Sequence, residues 1–217
     1  MIARSLDGAM LAGRPVSARV VPVETRNVRE RFEQFLIAEN PDIVILLSQF
    51  GGRTALSVER VAVNVLDFEF PDNVGVMRKS DVVSRGGAEA RISNLPLERI
   101  VEGWHGAGVP GYVSNTAGTF IGNQALYEML ALTEHASPPV LVGLVHLPYL
   151  PAQAIAAGSE SSPSMTFDLA KKGIETLIEA VVPWVDQRAA EPDVTTKSRP
   201  GSGRSMWIPR GVKEAER

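Results

Sequence analysis

Two uninterrupted apolar runs, "DIVILLS" at 42–48 and "VLVGLVHL" at 140–147, constrain this chain more than any other feature. A strand wetted on one side alternates apolar and polar residues. A run without alternation is covered on both faces, which points to a parallel sheet between helices. The first run follows "RNVRERFEQFLIAENPD", where Val28, Phe32, Phe35 and Leu36 recur at helical spacing and Asn40-Pro41 ends the helix, because the residue before proline is pushed out of the α region. The same alternation predicts strands at "VSARVVPV", "RVAVNVLDF" and "GYVSN", a helix over 123–132, and a last long helix. In that last helix Ala170, Ile174, Leu177, Ile178, Val181 and Val185 share one face behind Ser164 or Thr166 as caps. The class is therefore α/β, in layers.

At 217 residues with 44% apolar and 22% charged side chains, one domain with a substantial core is expected, spanning 1–187. Residues 188–217 are rich in charge, Pro, Gly and Ser and read as a polar, disordered tail, with Trp207 and Ile208 as a docking point within it. Met1 opens inside a helix-like segment, without a strand ahead of it. The net charge of −3, from 22 basic and 25 acidic residues, has no basic block, so neither nucleic acid nor an anionic membrane is an expected partner. Zero cysteines exclude disulfides and thiolate chemistry by this chain and fit the cytoplasm. No apolar run approaches the roughly 20 residues of a membrane span.

Three stretches place polar groups where the ends of buried strands gather them. "SQFGGRTALSVERVAVN" puts a Gly-Gly turn after a strand and Glu59 just before the next one. Its phosphate-loop spacing is absent, so it reads first as a turn. "SNTAGTFIGNQALYEML" runs a polar turn into a helix N-terminus, a place that would activate a nucleophile, yet Gly122 stands at the mouth, and an ordinary permissive turn residue explains it equally. "VLVGLVHLPYLPAQ" sets His146 at a strand end, either as a structural residue or as an imidazole base. His105 and His135 lie at helix ends without ligand spacing, and no metal site or cofactor is expected.

Three blocks, "GGRTALSVERVAVNVLDFEFPDN", "VSNTAGTFIGNQALYEML" and "VHLPYLPAQ", in this order and spacing, resemble those of the pyroglutamyl peptidase I (pyrrolidone-carboxylate peptidase) family. The resemblance covers about residues 5 to 185. It implies a phosphorylase/hydrolase-like three-layer α/β/α sandwich with a mostly parallel sheet, here with its first strand missing, and a homo-oligomer. It implies a cysteine-type hydrolase that removes N-terminal pyroglutamate from peptides through a Glu-Cys-His set. By position, Glu59 matches the glutamate, His146 the histidine, and Gly122 the nucleophilic cysteine. Gln49, Phe70, Phe120 and Ile121 match residues lining the pyroglutamyl pocket. Asn123-Gln124 stands where Asn-His is usual, and Glu69 where many members carry arginine. The family mechanism is covalent, so a glycine at 122 implies an inactive or strongly impaired member. Two alternatives stay open: a hydrolase in which His146 and Glu59 activate a water, and a non-catalytic oligomerising or binding subunit.

Overall fold

The computed structural model describes residues 1–158 and 162–190. The chain begins with α1 (Ile2–Leu6) and a small hairpin, β1 (Met10–Leu11) and β2 (Arg14–Pro15). α2 (Val28–Glu39) leads into β3 (Ile43–Gln49), followed by β4 (Leu56–Glu59), β5 (Val61–Val63) and β6 (Ala90–Ile92). Then come α3 (Leu97–Gly106), β7 (Gly111–Ser114), α4 (Ile121–Thr133), β8 (Leu141–Leu147), α5 (Pro151–Ala156) and α6 (Phe167–Ala190). Among these helices none is long and apolar enough to cross a membrane.

The central sheet has the order β3-β8-β4-β7. β3 and β8 are parallel over their whole length, as are β4 and β7, and the two pairs meet where β4 runs antiparallel to β8. Side-chain alternation sorts the strands into two apolar layers. Leu141 and Val145 of β8 and Leu56 and Val58 of β4 pack with Ile100 and Trp104 of α3 and Ile174, Leu177 and Val181 of α6. Val142 and Leu144 of β8 pack on the other face with Phe32 of α2 and Leu126, Tyr127 and Leu130 of α4. The result is the three-layer α/β/α sandwich. Each fully buried large aliphatic or aromatic side chain contributes about 1.5–3 kcal/mol to holding the layers together.

α2 stops where its sequence says: Asn40 takes the left-handed conformation and its N–H bonds the Leu36 carbonyl at 3.0 Å. α6 starts behind Thr166, whose hydroxyl accepts the Leu169 N–H at 3.3 Å. It runs to Ala190, three residues past the expected domain boundary, and the remainder of the expected tail, Trp207 and Ile208 included, lies outside the described residues.

The structure corrects three expectations. Residues 16–23 form no strand; after Val16 N–H bonds the Ala9 carbonyl, the segment crosses the surface without a neighbouring strand to pair with, and Pro22 offers no N–H. The "RVAVNVLDF" stretch forms only the three-residue β5, paired antiparallel with β6 in a separate ribbon, because the chain leaves the central sheet at Arg60. β3 is apolar throughout its first five residues yet only half-buried, because among the described residues it is an edge strand with β8 on one side alone.

Candidate active site

Glu59 is not in a loop before a strand, as the sequence suggested, but is the last residue of β4, a short central strand. Because β4 is antiparallel to β8, its beginning lies beside the end of β8, with Ser57 opposite His146. On the other side of β8, Ser48 of β3 is also opposite His146. Alternation carries Ser48, Ser57, Glu59 and His146 to the sheet face that α4 covers, in line with Leu46 and Leu144.

The four form one polar patch in an apolar layer. His146 Nδ1 donates to Glu59 Oε1 at 2.8 Å, with both residues essentially inaccessible, at 2% and 0% exposure. The same oxygen accepts the Ser57 hydroxyl at 3.1 Å and Arg53 Nη2 at 3.4 Å. Glu59 Oε2 is buried and has no partner among the described residues. Removing a carboxylate from water costs several kcal/mol, and the Arg53 guanidinium is the charge placed to offset it. Arg53 is itself held flat: it lies 4.7 Å over the Phe50 ring, 5.7 Å over that of Tyr112, and bonds the Tyr112 hydroxyl. Phe50 also meets His146 edge-on at 5.2 Å.

Two glycines let the β3–β4 turn close over this patch. Gly52 has a φ of +94°, which side-chain-bearing residues rarely adopt, and a Cβ on Gly51 would fall 2.4 Å from the Tyr149 ring.

With Nδ1 committed to Glu59, the neutral imidazole keeps its lone pair on Nε2. That atom faces α4. A Cβ on Gly122 would lie 3.0 Å from His146 Nε2 and 3.2 Å from Ser48 Oγ, so residue 122 sits directly against the imidazole. Gly122 is the second residue of α4, and the first in-helix bond is Gln124 N–H to the Phe120 carbonyl at 3.1 Å. The preceding N–H groups of Ile121, Gly122 and Asn123 therefore sit ahead of the helical ladder at the positive end of the helix dipole. Glu59, His146 and Gly122 thus converge at one place.

Of the expected lining residues, Phe120 joins Phe68 at 4.6 Å and Phe70 at 4.8 Å, and Phe70 is 58% exposed. Gln49 reaches sideways to Gln153 Oε1 at 2.5 Å. Ile121 opens α4 beside Gly122. The next two residues, Asn123 and Gln124, are straps: Asn123 bonds both polar groups of Val63 and the Val65 carbonyl, and Gln124 bonds the hydroxyl and carbonyl of Thr25. Glu69 is exposed. His105 is exposed at the end of α3, its Nε2 donating to the Gly111 carbonyl at 2.9 Å. Among the described residues no group of His, Cys, Asp or Glu could hold a metal ion.

Sequence reasoning missed Ser48, Phe50, Arg53 and Ser57. Ser57 and Glu59 share the two-residue spacing of one strand face, which was the available signal. Arg53 gave none, because its role depends on a turn that folds back on β4.

The pyroglutamyl peptidase family model matches residues 1–183. The chain belongs to the pyroglutamyl peptidase family. It is 37% identical over 179 residues to pyrrolidone-carboxylate peptidase 1 of Ralstonia nicotianae, covering 82% of each chain. It is 40% identical over 178 residues to the pyrrolidone-carboxylate peptidase of Klebsiella pneumoniae, covering 82% of this chain and 81% of that one. Among solved structures, a mutant pyrrolidone carboxyl peptidase of Pyrococcus furiosus superposes with a TM-score of 0.81 at 33% identity, covering 85% of this chain and 89% of that chain. The pyroglutamyl peptidase blocks identified in the sequence thus lie on the family fold. This chain has no cysteine, and glycine stands at the helix mouth facing the imidazole.

Proposed function

We propose that the cleft between α4, β8 and the 66–70 segment recognises the N-terminal pyroglutamyl group of peptides, and that peptide cleavage there is abolished or strongly impaired. Glu59 and His146 are the retained acid–imidazole pair, Gly122 marks the position of the lost nucleophile, and Gln49, Phe70, Phe120 and Ile121 form the recognition surface. The observation that carries this reading is the placement of Gly122, where a Cβ would fall 3.0 Å from His146 Nε2, beside an imidazole already oriented by Glu59. Without a thiol the acyl-enzyme route of a cysteine peptidase has no attacking atom, and losing a triad nucleophile removes several powers of ten in rate.

The same reading takes the chain to be a homo-oligomer in the cytoplasm. Its support is an exposed sheet edge at β3 and a fold that uses no disulfide. Light scattering on the eluting protein reads the assembly.

Calorimetric titration with a pyroglutamyl tripeptide, against the same peptide beginning with glutamine, tests recognition. Selective binding of the cyclised peptide with thiol-independent or no turnover is the expected outcome. Equal affinity for both peptides would refute the recognition reading, and cleavage at the rate of a cysteine-bearing relative would refute the impairment.

A further inference from the structure

We propose that Ser48 supplies the nucleophile for the residual chemistry of this cleft, in a Ser48–His146–Glu59 arrangement. The proposal rests on the reading of the cleft as a pyroglutamyl site and names the atom that would react there.

Ser48 is the polar exception near the end of an apolar strand. The five residues before it in β3, Ile43 to Leu47, are all aliphatic and pack into the two layers. Its side chain falls on the α4 face with His146 opposite in register, so Ser48, His146 and Ser57 make a row across three strands. Ser57 donates to Glu59 on one side of the imidazole, and Ser48 stands on the other.

The decisive geometry is at residue 122. The point where a Cβ would be is 3.0 Å from His146 Nε2, 3.2 Å from Ser48 Oγ and 3.5 Å from Ser48 Cβ. The hydroxyl and the basic nitrogen therefore flank one spot, and glycine puts no side chain between them. A serine turns about a single bond among three staggered positions, which moves Oγ without moving the strand. Any side chain larger than glycine at 122 would crowd this approach. Ahead of the ladder of α4, the N–H groups of Ile121, Gly122 and Asn123 form the adjoining donor set for a developing oxyanion.

The step balances without any added reagent. Ser48 Oγ bonds the carbonyl carbon of the pyroglutamyl residue while its proton passes to His146 Nε2, and the carbonyl oxygen takes the negative charge. The C–N bond then breaks, with His146 returning that proton to the departing amine, and leaves an ester on Ser48. Water adds to the ester, giving one proton to Nε2; the C–Oγ bond breaks and the proton returns to Ser48, releasing pyroglutamate. Glu59 holds Nδ1–H throughout and stabilises the transient imidazolium. A serine hydroxyl depends wholly on its base, unlike a thiolate, so slow turnover is the expected outcome.

A fluorophosphonate probe, read by intact mass and peptide mapping on the full chain, tests the nucleophile without any peptide substrate. The expected result is a single adduct on Ser48 that is lost in Ser48→Ala and lost in His146→Ala, with circular dichroism showing both variants folded. Should Ser48→Ala not fold, Ser48→Cys carries the same test, being alkylated several-fold faster than a free model thiol only while His146 is present. No adduct on Ser48, an adduct mapped elsewhere, or labelling whose rate is indifferent to His146→Ala overturns the proposal. Calorimetry with the pyroglutamyl tripeptide separates the two readings: failure to bind removes the recognition reading, whereas the labelling result stands or falls independently of it.

Discussion

Gly122→Cys returns a thiol to the helix mouth, and the structure gives the size of the response. The new Cβ would sit 3.0 Å from His146 Nε2 and 3.2 Å from Ser48 Oγ, against 3.4–4 Å for ordinary contact, so the imidazole or the serine must yield by a few tenths of an ångström. Overpacking of this kind costs about 1–2 kcal/mol. Gly122 is not in a left-handed conformation, so no backbone strain adds to it, and replacing a helical glycine recovers roughly 0.5 kcal/mol. A net loss of about 1 kcal/mol lowers the melting temperature by roughly 2–4 °C in a chain of this size. At the N-terminus of α4 and beside an imidazole, the thiolate is favoured over that of a free cysteine, which is only a few per cent ionised at pH 7. Iodoacetamide should therefore alkylate Gly122→Cys several-fold faster than a model thiol, and the advantage should vanish in Gly122→Cys with His146→Ala. Thiol-dependent cleavage of a pyroglutamyl reporter amide should appear in the single variant, be absent from the wild type, and be blocked by alkylation. Recovery will stay partial, because displacing the reacting atoms by about 1 Å costs on the order of 100-fold. An alkylation rate equal to that of the model thiol at neutral pH would show that 122 is no activated position and would refute the carry-over of the site.

Other consequences follow from particular contacts. Arg53→Ala removes the cation beside a buried carboxylate and should destabilise the fold by about 3 kcal/mol or more, read in urea melts; a change under 1 kcal/mol would show that Glu59 is not compensated by Arg53. Gly51→Ala drives a methyl into the Tyr149 ring and should displace the β3–β4 turn, weakening pyroglutamyl-peptide binding together with stability, whereas Gly52→Ala should cost stability through its φ alone. Burial would raise the Asp72 carboxyl, but the N–H groups of Thr25, Val76 and Val74 and the Arg26 charge outweigh it and hold it below its ordinary value. Its contribution is thus full above the ordinary carboxylate range and is lost as the pH falls through the depressed folded value. Amide resonances of 74–76 should therefore move only in acid below about pH 4, and movement near neutrality would contradict this assignment. Phe32→Ala, which empties a fully packed site between α2 and α4, should cost about 3–5 kcal/mol in the same melts.

The strongly periodic elements were legible: α2, α6, β3 and β8 all announce themselves by spacing or by an unbroken apolar run. The three sequence blocks also located Glu59, Gly122 and His146, which the fold brings to one point from strands and a helix far apart in the chain. What stayed hidden depends on direction. A sequence does not say that β4 runs against β8, and that reversal is what moves Glu59 from a strand-end loop into the packed interior and sets Ser57 opposite His146. Residues 16–23 have strand-like composition without a partner, and pairing, not propensity, decides whether a strand forms. The roles of Asn123 and Gln124 were invisible for the same reason, since each is defined by the backbone it ties down, at Val63 and at Thr25.

The position of β3 at the margin of the sheet has a dynamic consequence. His146 and Glu59 stand on β8 and β4, each laddered on both sides, while among the described residues Ser48 and Gln49 hang on a strand secured by β8 alone. Amide hydrogens of β3 that point away from β8 have no ladder bond to break before they exchange, whereas those of β8 need opening of the sheet itself. The β8–β4 side of the candidate site is thus stiff and the β3 side compliant. An occupant spanning both would slow exchange across 43–49 and leave 141–147 unchanged.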